Sequence, residues 1–566
     1  MTPTRHYTGA EIVVRLLERQ GVQAVAGIPG GAVLPLYDAL ARSHSIRHVL
    51  ARHEQGAGFI AQGIARTSGR PGVCLASSGP GATNLLTAVA DAKLDSVPLV
   101  AITGQVPRAM IGTDAFQEVN TFGLTMPVTK HSFLVKSAAE LLDVLPRAFA
   151  IAASGRPGPV LIDIPKDVQT EQAPVAEWPE PGAAAPPPAP CDEDLARAAE
   201  LIERAERPIL YLGGGVVQSG AADAARALAE RSALPTVMTL MGLGALPTDH
   251  PLSLGMLGMH GAPYTNRALD ECDLLIAVGA RFDDRATGKL SAFCPRARVI
   301  HVDIDAAEIG KLRRPDVAIA ADAREALTRL LPLLEPRTRA GWAARIALLK
   351  RTHPLHMPGA GSVTTPYGLV RAVAAAAGDD AIITTDVGQH QMWVAQAFPL
   401  RRPRGWLTSG GLGTMGFGLP AAIGAAIAAP ERTVICFTGD GSILMNVQEL
   451  ATAVETGANV KLVLMNNRSL GLVHQQQTLF YGARVFASAY ERPPDFVRLA
   501  RAFGMDAVDL DRARDPERAL AAALREPGPC LLHATIDTAE QVLPMVPPGA
   551  PNSEMIVRVA LATGDR

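Results

Sequence analysis

Short apolar runs rich in Val and Ile alternate with Ala- and Leu-rich stretches of helical period along almost the whole chain. PGVCLASSGPGATNLLTAVADA leads into PLVAITG, and RTVICFTGDG, NVQELATAVETG and KLVLMNN follow one another from residue 432. Such alternation builds parallel sheets covered by helices on both faces, because each parallel pair needs a crossover and the crossover helix buries the sheet. Two segments interrupt it. Residues 171–189, EQAPVAEWPEPGAAAPPPA, lose apolar periodicity and read as a linker; residues 336–364 hold a basic helix-like piece, AGWAARIALLKRTH, followed by turn formers. Three α/β domains with doubly wound parallel sheets are expected, at 1–170, 190–335 and 365–550. The length of 566 residues agrees with about three domains.

A chain that is 48% hydrophobic and 19% charged can bury a core in each domain, which excludes disorder for most of its length. Fifty-three Lys and Arg against 55 Asp and Glu leave no field for nucleic-acid phosphates or anionic lipid. The six cysteines have no C-x-x-C pair and no zinc spacing, as suits reduced thiols. The N-terminal MTPTRHYTGAEIVVRLLERQGV enters an amphipathic helix pattern without an export signal, so a cytoplasmic location is expected. The uncharged stretch from Gly405 to Pro430 is long enough to cross a bilayer, but Pro420 and its many Gly, Ser and Thr argue against that.

In open parallel sheets ligands sit at the carboxyl ends of strands. The turns there are rich in glycine: GIPGGA at 27–32, SSGPGATN at 77–84, LGGGVV at 212–217, TSGGLGTMGFG at 408–418 and TGDGS at 438–442. Glycine lets backbone N–H groups approach a ligand, and the next helix N-terminus favours an anion, so five such turns point to large phosphorylated cofactors. Gly439-Asp440-Gly441 is followed after 24 residues by Asn466-Asn467, and the interval reads as one helix and one strand. Asp440 and Asn467 therefore end neighbouring strands and offer a hard-oxygen half-site for Mg²⁺ whose open positions suit diphosphate oxygens. A helix cap at Asp440 and a plain Asn turn would explain the residues singly, but not the double Asn at this spacing.

This spacing resembles the signature of thiamine diphosphate enzymes. That family needs a glutamate on the cofactor's pyrimidine, and His53-Glu54-Gln55-Gly56-Ala57, between IRHVLA and GFIAQGIART, resembles that segment. The absence of G-x-S-x-G and H-E-x-x-H motifs agrees with chemistry carried by a cofactor. GIPGGAVLPLYDAL, GQVPRAMIGTDAFQE, SGRPGPVLIDIPKDVQ, GMLGMHG, ARFDDRATGK, HVDID, VGQHQMW and MVPPGAPNSEM extend the resemblance, from about residue 8 to 560, to acetolactate (acetohydroxyacid) synthase catalytic large subunits of the isozyme I type. It implies thiamine diphosphate, Mg²⁺ and FAD as cofactors. The implied reaction decarboxylates pyruvate and joins the two-carbon unit to a second pyruvate or to 2-oxobutyrate. The products would be 2-acetolactate and 2-aceto-2-hydroxybutyrate, at the first common step of branched-chain amino-acid (valine, isoleucine) biosynthesis. A homodimer or dimer of dimers with active centres at the subunit interface, and a small regulatory subunit, are implied too. Another 2-oxo acid enzyme of the cofactor family, such as a pyruvate oxidase, is the alternative.

By this resemblance Glu54 sets the tautomer of the pyrimidine, while Gly31, Phe116 and Gln117 line the reaction centre of the partner subunit. Asp440, Asn467 and the Ser469 carbonyl hold the metal. Val387, Gly388, Gln389 and His390 form a diphosphate turn, with Gly439, Gly441, Ser442 and Gly471 beside it. Gly413 offers its carbonyl to the pyrimidine amine, and Met415 holds the cofactor bent. Flavin contacts fall on Gly213, Gly214, Gly215, Thr239, Leu240, Met259, His260, Arg281, Asp283, Arg285, Asp303, Ile304, Asp322 and Ala323. Ala321-Asp322-Ala323 departs from the family's more usual Gly-Asp-Ala. On residues alone LGGGVV lacks the full dinucleotide spacing, the ARFDDR charges suit either a pyrophosphate or a surface ion-pair cluster, and His260 also reads as a turn histidine. Lys130 in PVTKH resembles a family lysine of unassigned role. Gln476 stands where most family members carry a tryptophan; a flexible amide replaces a rigid wall, so a weakened preference for 2-oxobutyrate over pyruvate is expected.

Overall fold

In the computed structural model, which describes residues 5–558, the β-branched runs pair in parallel in three six-stranded sheets. The N-terminal sheet runs Arg47–Leu50, Ala24–Gly27, Gly72–Ala76, Leu99–Gln105, Pro159–Pro165, His131–Leu134 across its width. The middle sheet runs Ser253–Met256, Thr236–Met238, Pro208–Leu212, Leu274–Val278, Arg298–Asp303, Val317–Ala320. The C-terminal sheet runs Trp406–Leu407, Ile382–Thr385, Val434–Gly439, Val460–Asn466, Cys530–Thr535, Asp506–Asp509. Inner strands such as Leu99–Gln105 and Val460–Asn466 are buried at every residue, which is why they read as unbroken apolar runs. The doubly wound α/β class holds three times over.

Both expected linkers carry more structure than their composition suggests. Within 171–189, Gln172–Val175 pairs antiparallel with Arg5–Thr8, because Ala173 and Val175 present one buried face between exposed neighbours. Two apolar residues are too few to register as strand periodicity. Farther on, Gln20 Nε2 donates to the Gly182 carbonyl at 2.7 Å and the Gly182 N–H donates to Gln20 Oε1 at 2.9 Å, tying the segment to the N-terminal domain. In 336–364 the basic piece forms the helix Ala340–Thr352, which buries Trp342, Ile346 and Leu349 in an apolar cluster of the middle domain.

The uncharged stretch after Gly405 supplies the helix Gly418–Ala428, buried nearly all round. An all-apolar helix of this kind belongs inside protein. It packs on Glu54–Ser68 of the N-terminal domain so closely that a Cβ on Gly63 would lie 2.1 Å from the Ala421 carbonyl oxygen, and one on Gly424 2.0 Å from that of Ile60. Among the described residues no helix is long and apolar enough to cross a membrane.

Candidate active site

Strands Val434–Gly439 and Val460–Asn466 lie side by side with Gly439 opposite Met465, so Asp440 and Asn467 leave adjacent carboxyl ends. The backbone N–H groups of Gly441, Ser469 and Asn467 face the Asp440 carboxylate; burial nevertheless pushes it up to about 6. Its Oδ2 is buried without a hydrogen-bond partner. A buried carboxylate oxygen left without a partner, against the loop that carries Asn467 and Ser469, is a place where a hard cation would find a ligand. Asn467 is fixed in place: Nδ2 donates to Gln389 Oε1 at 2.9 Å, and Oδ1 accepts the Ser469 N–H at 3.1 Å. A Cβ on Gly471 would lie 2.0 Å from Gln389 Oε1 and 2.6 Å from Asn467 Nδ2. That glycine makes room for the pair.

The Val387–His390 turn stands against this loop. Ser442 Oγ donates to the Val387 carbonyl at 2.9 Å. His390 is buried, which pulls its pKa down to about 3 and keeps it neutral; its Nε2 has no partner, and a Cβ on Gly439 would sit 2.9 Å from its Nδ1. Asp386, which the sequence reading passed over, anchors both sides. It accepts the Gly416 and Gly418 N–H groups at 2.7 and 3.2 Å and Thr438 Oγ1 at 2.9 Å, so it shapes the loop bearing half-buried Met415. Gly413 has φ +71°, a left-handed geometry that favours glycine.

Glu54 opens its helix behind the N-cap His53, half-buried, and its Oε2 accepts Asn84 Nδ2 at 2.9 Å. Asn84 is a second residue that sequence reasoning missed. Gly31 has open space around its Cα, and Phe116 is 87% exposed beside Gln117, whose φ is +60°. Within one chain these residues share no hydrogen bond with Asp440, Asn467 or Ser469 among the described residues.

A cavity of about 720 Å³ brings together all the residues expected to contact flavin, from Gly213 to Ala323, with Val387, Gly413 and Gln476. Glu54, Phe116, Gln117 and Asp440 are not on its wall. Several of these residues are also engaged within the chain. The Gly213 and Gly215 N–H groups go to the Val278 and Gly279 carbonyls, so those glycines let two turns touch and do not turn their N–H groups to a ligand. Asp283 Oδ1 accepts the Arg285 and Ala286 N–H groups, and Asp322 Oδ1 those of Arg324 and Glu325, as helix caps. His260 is neutral, since burial pulls it down to about 4, and its Nδ1 pairs with the Pro544 carbonyl at 3.0 Å. Arg281 and Arg285 remain as cations on the wall. Arg156 and Met392, which lie in motifs that carry the resemblance but were not singled out as contacts, also line it, as do the linker residues Ala184, Ala185 and Pro187, which carried no sequence signal. Lys130 lies elsewhere, its Nζ donating to the Ile151 and Ser154 carbonyls.

Residues 7–124, 195–330 and 386–534 match, in order, the N-terminal TPP binding domain, the central domain and the C-terminal TPP binding domain of thiamine pyrophosphate enzymes. The chain is 59% identical over 556 residues to the acetolactate synthase isozyme 1 large subunit of Escherichia coli K12, covering 98% of this chain and 99% of that one. It is 52% identical over 567 residues to the acetolactate synthase large subunit of Parasynechococcus marenigrum, covering 97% and 91%. With the isozyme 2 large subunit of Escherichia coli K12 the identity is 49% over 556 residues, covering 98% and 100%. With thiamine-enzyme domains in order along its length and relatives that match it nearly end to end, the chain belongs to the acetolactate synthase large subunits.

Proposed function

We propose that this chain decarboxylates pyruvate and transfers the two-carbon unit to a second 2-oxo acid, giving 2-acetolactate from pyruvate or 2-aceto-2-hydroxybutyrate from 2-oxobutyrate. The observation that carries this reading is the meeting of Asp440, whose buried Oδ2 lacks a partner, with Asn467 and Ser469 at adjacent strand ends. These residues would hold Mg²⁺, with the diphosphate against Val387–His390 and Gly441–Ser442. The chemistry that thiamine diphosphate supplies when bound is an electron sink for decarboxylating a 2-oxo acid. Glu54 would hold a proton on Oε1 for the pyrimidine nitrogen, since Asn84 occupies Oε2. The 720 Å³ cavity would hold FAD, with Arg281 and Arg285 offering the charges for its pyrophosphate.

The exposed Phe116 and the open ground at Gly31 support an active centre completed by a second copy of the chain, hence at least a homodimer. A small regulatory subunit is part of the proposal, because the relatives bear the name large subunit. Purified protein given pyruvate, Mg²⁺, thiamine diphosphate and FAD should form acetolactate. Oxygen consumption with no acetolactate would instead assign it as a pyruvate oxidase.

A further inference from the structure

The glycine-rich turn that begins at Thr408 is wrapped around two acids of another domain. Asp91 lies on the helix Pro80–Leu94 of the N-terminal domain, and Asp95 ends that helix. Arg66, from the helix Glu54–Ser68, donates Nη2 to Asp95 Oδ2 at 2.8 Å and to Asp91 Oδ1 at 3.3 Å, and Nη1 to the Thr408 carbonyl at 3.0 Å. The three charged side chains are 6, 0 and 0% exposed. The turn supplies the remaining donors. Ser409 Oγ and Thr414 Oγ1 donate to Asp91 Oδ2, the latter at 3.0 Å. The Gly410 and Gly411 N–H groups donate to Asp95 at 3.1 and 2.7 Å, and the Thr414 N–H donates to Ser409 Oγ at 2.8 Å.

Two buried carboxylates against one guanidinium leave an excess negative charge, tolerable only because the turn surrounds them with N–H and O–H groups. A Cβ on Gly411 would lie 2.9 Å from Asp95 Oδ1 and 2.8 Å from Leu94 Cβ. Gly411 is therefore there for the acid and Gly410 for Met241, whose Sδ would lie 2.3 Å from a Cβ there, although sequence alone ascribes both to a ligand. The same turn carries Gly413, proposed above to meet the pyrimidine, and Ser409 to Gly413 form one wall of the cavity proposed for flavin, whereas Thr414 does not line it. Asp91 is not on that wall.

We infer that Asp91 is a positioning residue: it holds the turn 409–414 where the thiamine and flavin sites meet, so that both cofactors are bound through a carboxylate that touches neither. This rests on the cofactor assignment under Proposed function. The test is calorimetric titration of cofactor-free full-length protein with FAD, and with thiamine diphosphate at fixed Mg²⁺, for the wild type, Asp91→Asn and Thr414→Val. Thr414→Val removes a bond to Asp91 on the turn side without disturbing Arg66 or the cavity wall. Both variants should raise both dissociation constants about tenfold, the loss of part of a charge-assisted hydrogen bond, while kcat at saturating cofactor stays within about threefold of wild type.

Gln62→Met is the structural control, because Gln62 bonds Arg66 and the Ala88 carbonyl but nothing in the turn. It should lower Tm and leave both constants in place. Unchanged constants in Asp91→Asn and Thr414→Val, or an equal shift in Gln62→Met, would overturn the assignment. A wild-type protein that takes up neither cofactor overturns the functional reading itself, and this assignment with it.

Discussion

Glu449 Oε1 accepts the backbone N–H of His53 at 3.0 Å, so the residue that precedes Glu54 hangs on a carboxylate from the C-terminal domain. The same oxygen takes the Arg52 N–H at 2.9 Å, and Thr452 Oγ1 donates to Oε2 at 2.7 Å. Glu449 is fully buried and opens the helix that follows the Asp440 loop. The proposed pyrimidine acid is thus set by the domain that carries the proposed metal site. Glu449→Ala leaves two buried N–H groups unpaired, a cost of about 2–5 kcal/mol, and should lower kcat at least about tenfold. Glu449→Gln keeps an acceptor and should recover most of that loss. Steady-state kinetics at saturating cofactor reads the difference; equal activity in wild type and Glu449→Ala would show that the bond does not position Glu54.

Gly79 has φ +58°, and a Cβ there would lie 2.9 Å from the Gln117 carbonyl oxygen and 3.0 Å from its Cα. The loop bearing Phe116 and Gln117 is otherwise shaped by Glu118, whose carboxylate accepts the N–H groups of Gly112, Thr113 and Ala115. Gly79→Ala combines positive-φ strain of about 1–3 kcal/mol with a displaced loop. Kcat/KM for pyruvate should fall about 10–100-fold, as expected for a reacting group moved by about 1 Å, with the affinity for thiamine diphosphate unchanged. A variant with wild-type kcat/KM would remove Gln117 from the reaction centre.

The three sheets and the Asp440–Asn467 pairing are legible in the sequence because each is written locally, as a strand followed by its turn. The residues gathered in the large cavity are legible for the same reason: Thr239 and Arg281 follow strand ends and Asp303 closes one. What escapes is long-range polar packing. Asp91, Asp386 and Glu449 are single acids in ordinary helical or strand-end settings, and Asp91 and Glu449 find partners more than 300 residues away in the chain. The glycines at 410 and 411 look like a ligand loop because sequence registers the need for space, not what fills it. Asp283 and Asp322 turn inward to cap helices, a competition between local backbone and ligand that spacing cannot decide.

Gln476 and Leu472 lie one turn apart on the helix Gly471–Phe480 and both face the large cavity. If the acceptor sits there, as proposed, a flexible amide would leave its extra methylene without a rigid apolar surface. Gln476→Trp should raise the ratio of acetohydroxybutyrate to acetolactate formed from mixed 2-oxobutyrate and pyruvate by about tenfold, the low end of what one methylene contributes in a fitted pocket. The competition assay decides it directly. An unchanged ratio would show that position 476 does not touch the acceptor.

Asp163 lies inside strand Pro159–Pro165, almost completely buried and, among the described residues, without a salt-bridge partner; Thr103 Oγ1 donates to Oδ1 at 2.7 Å and Gln105 Nε2 to Oδ2 at 3.0 Å. Burial pushes this carboxyl from 3.8 up to about 7, the hydrogen bonds opposing. A carboxyl whose folded pKa is raised binds its proton more tightly in the native state. Its contribution to stability is therefore complete below about 3.8 and is lost as the pH rises through about 7. Asp163→Asn keeps the shape and removes the ionisation, so its stability relative to wild type should climb by about 1.4 kcal/mol per pH unit between roughly pH 4 and 7, then level off. Gln105 Nε2 also donates to the Val119 carbonyl at 2.8 Å, which ties the same acid to the loop of Gln117. Thermal melts of both proteins across that range should show the asparagine variant gaining on wild type as pH rises, and a difference independent of pH would mean that Asp163 is ionised throughout.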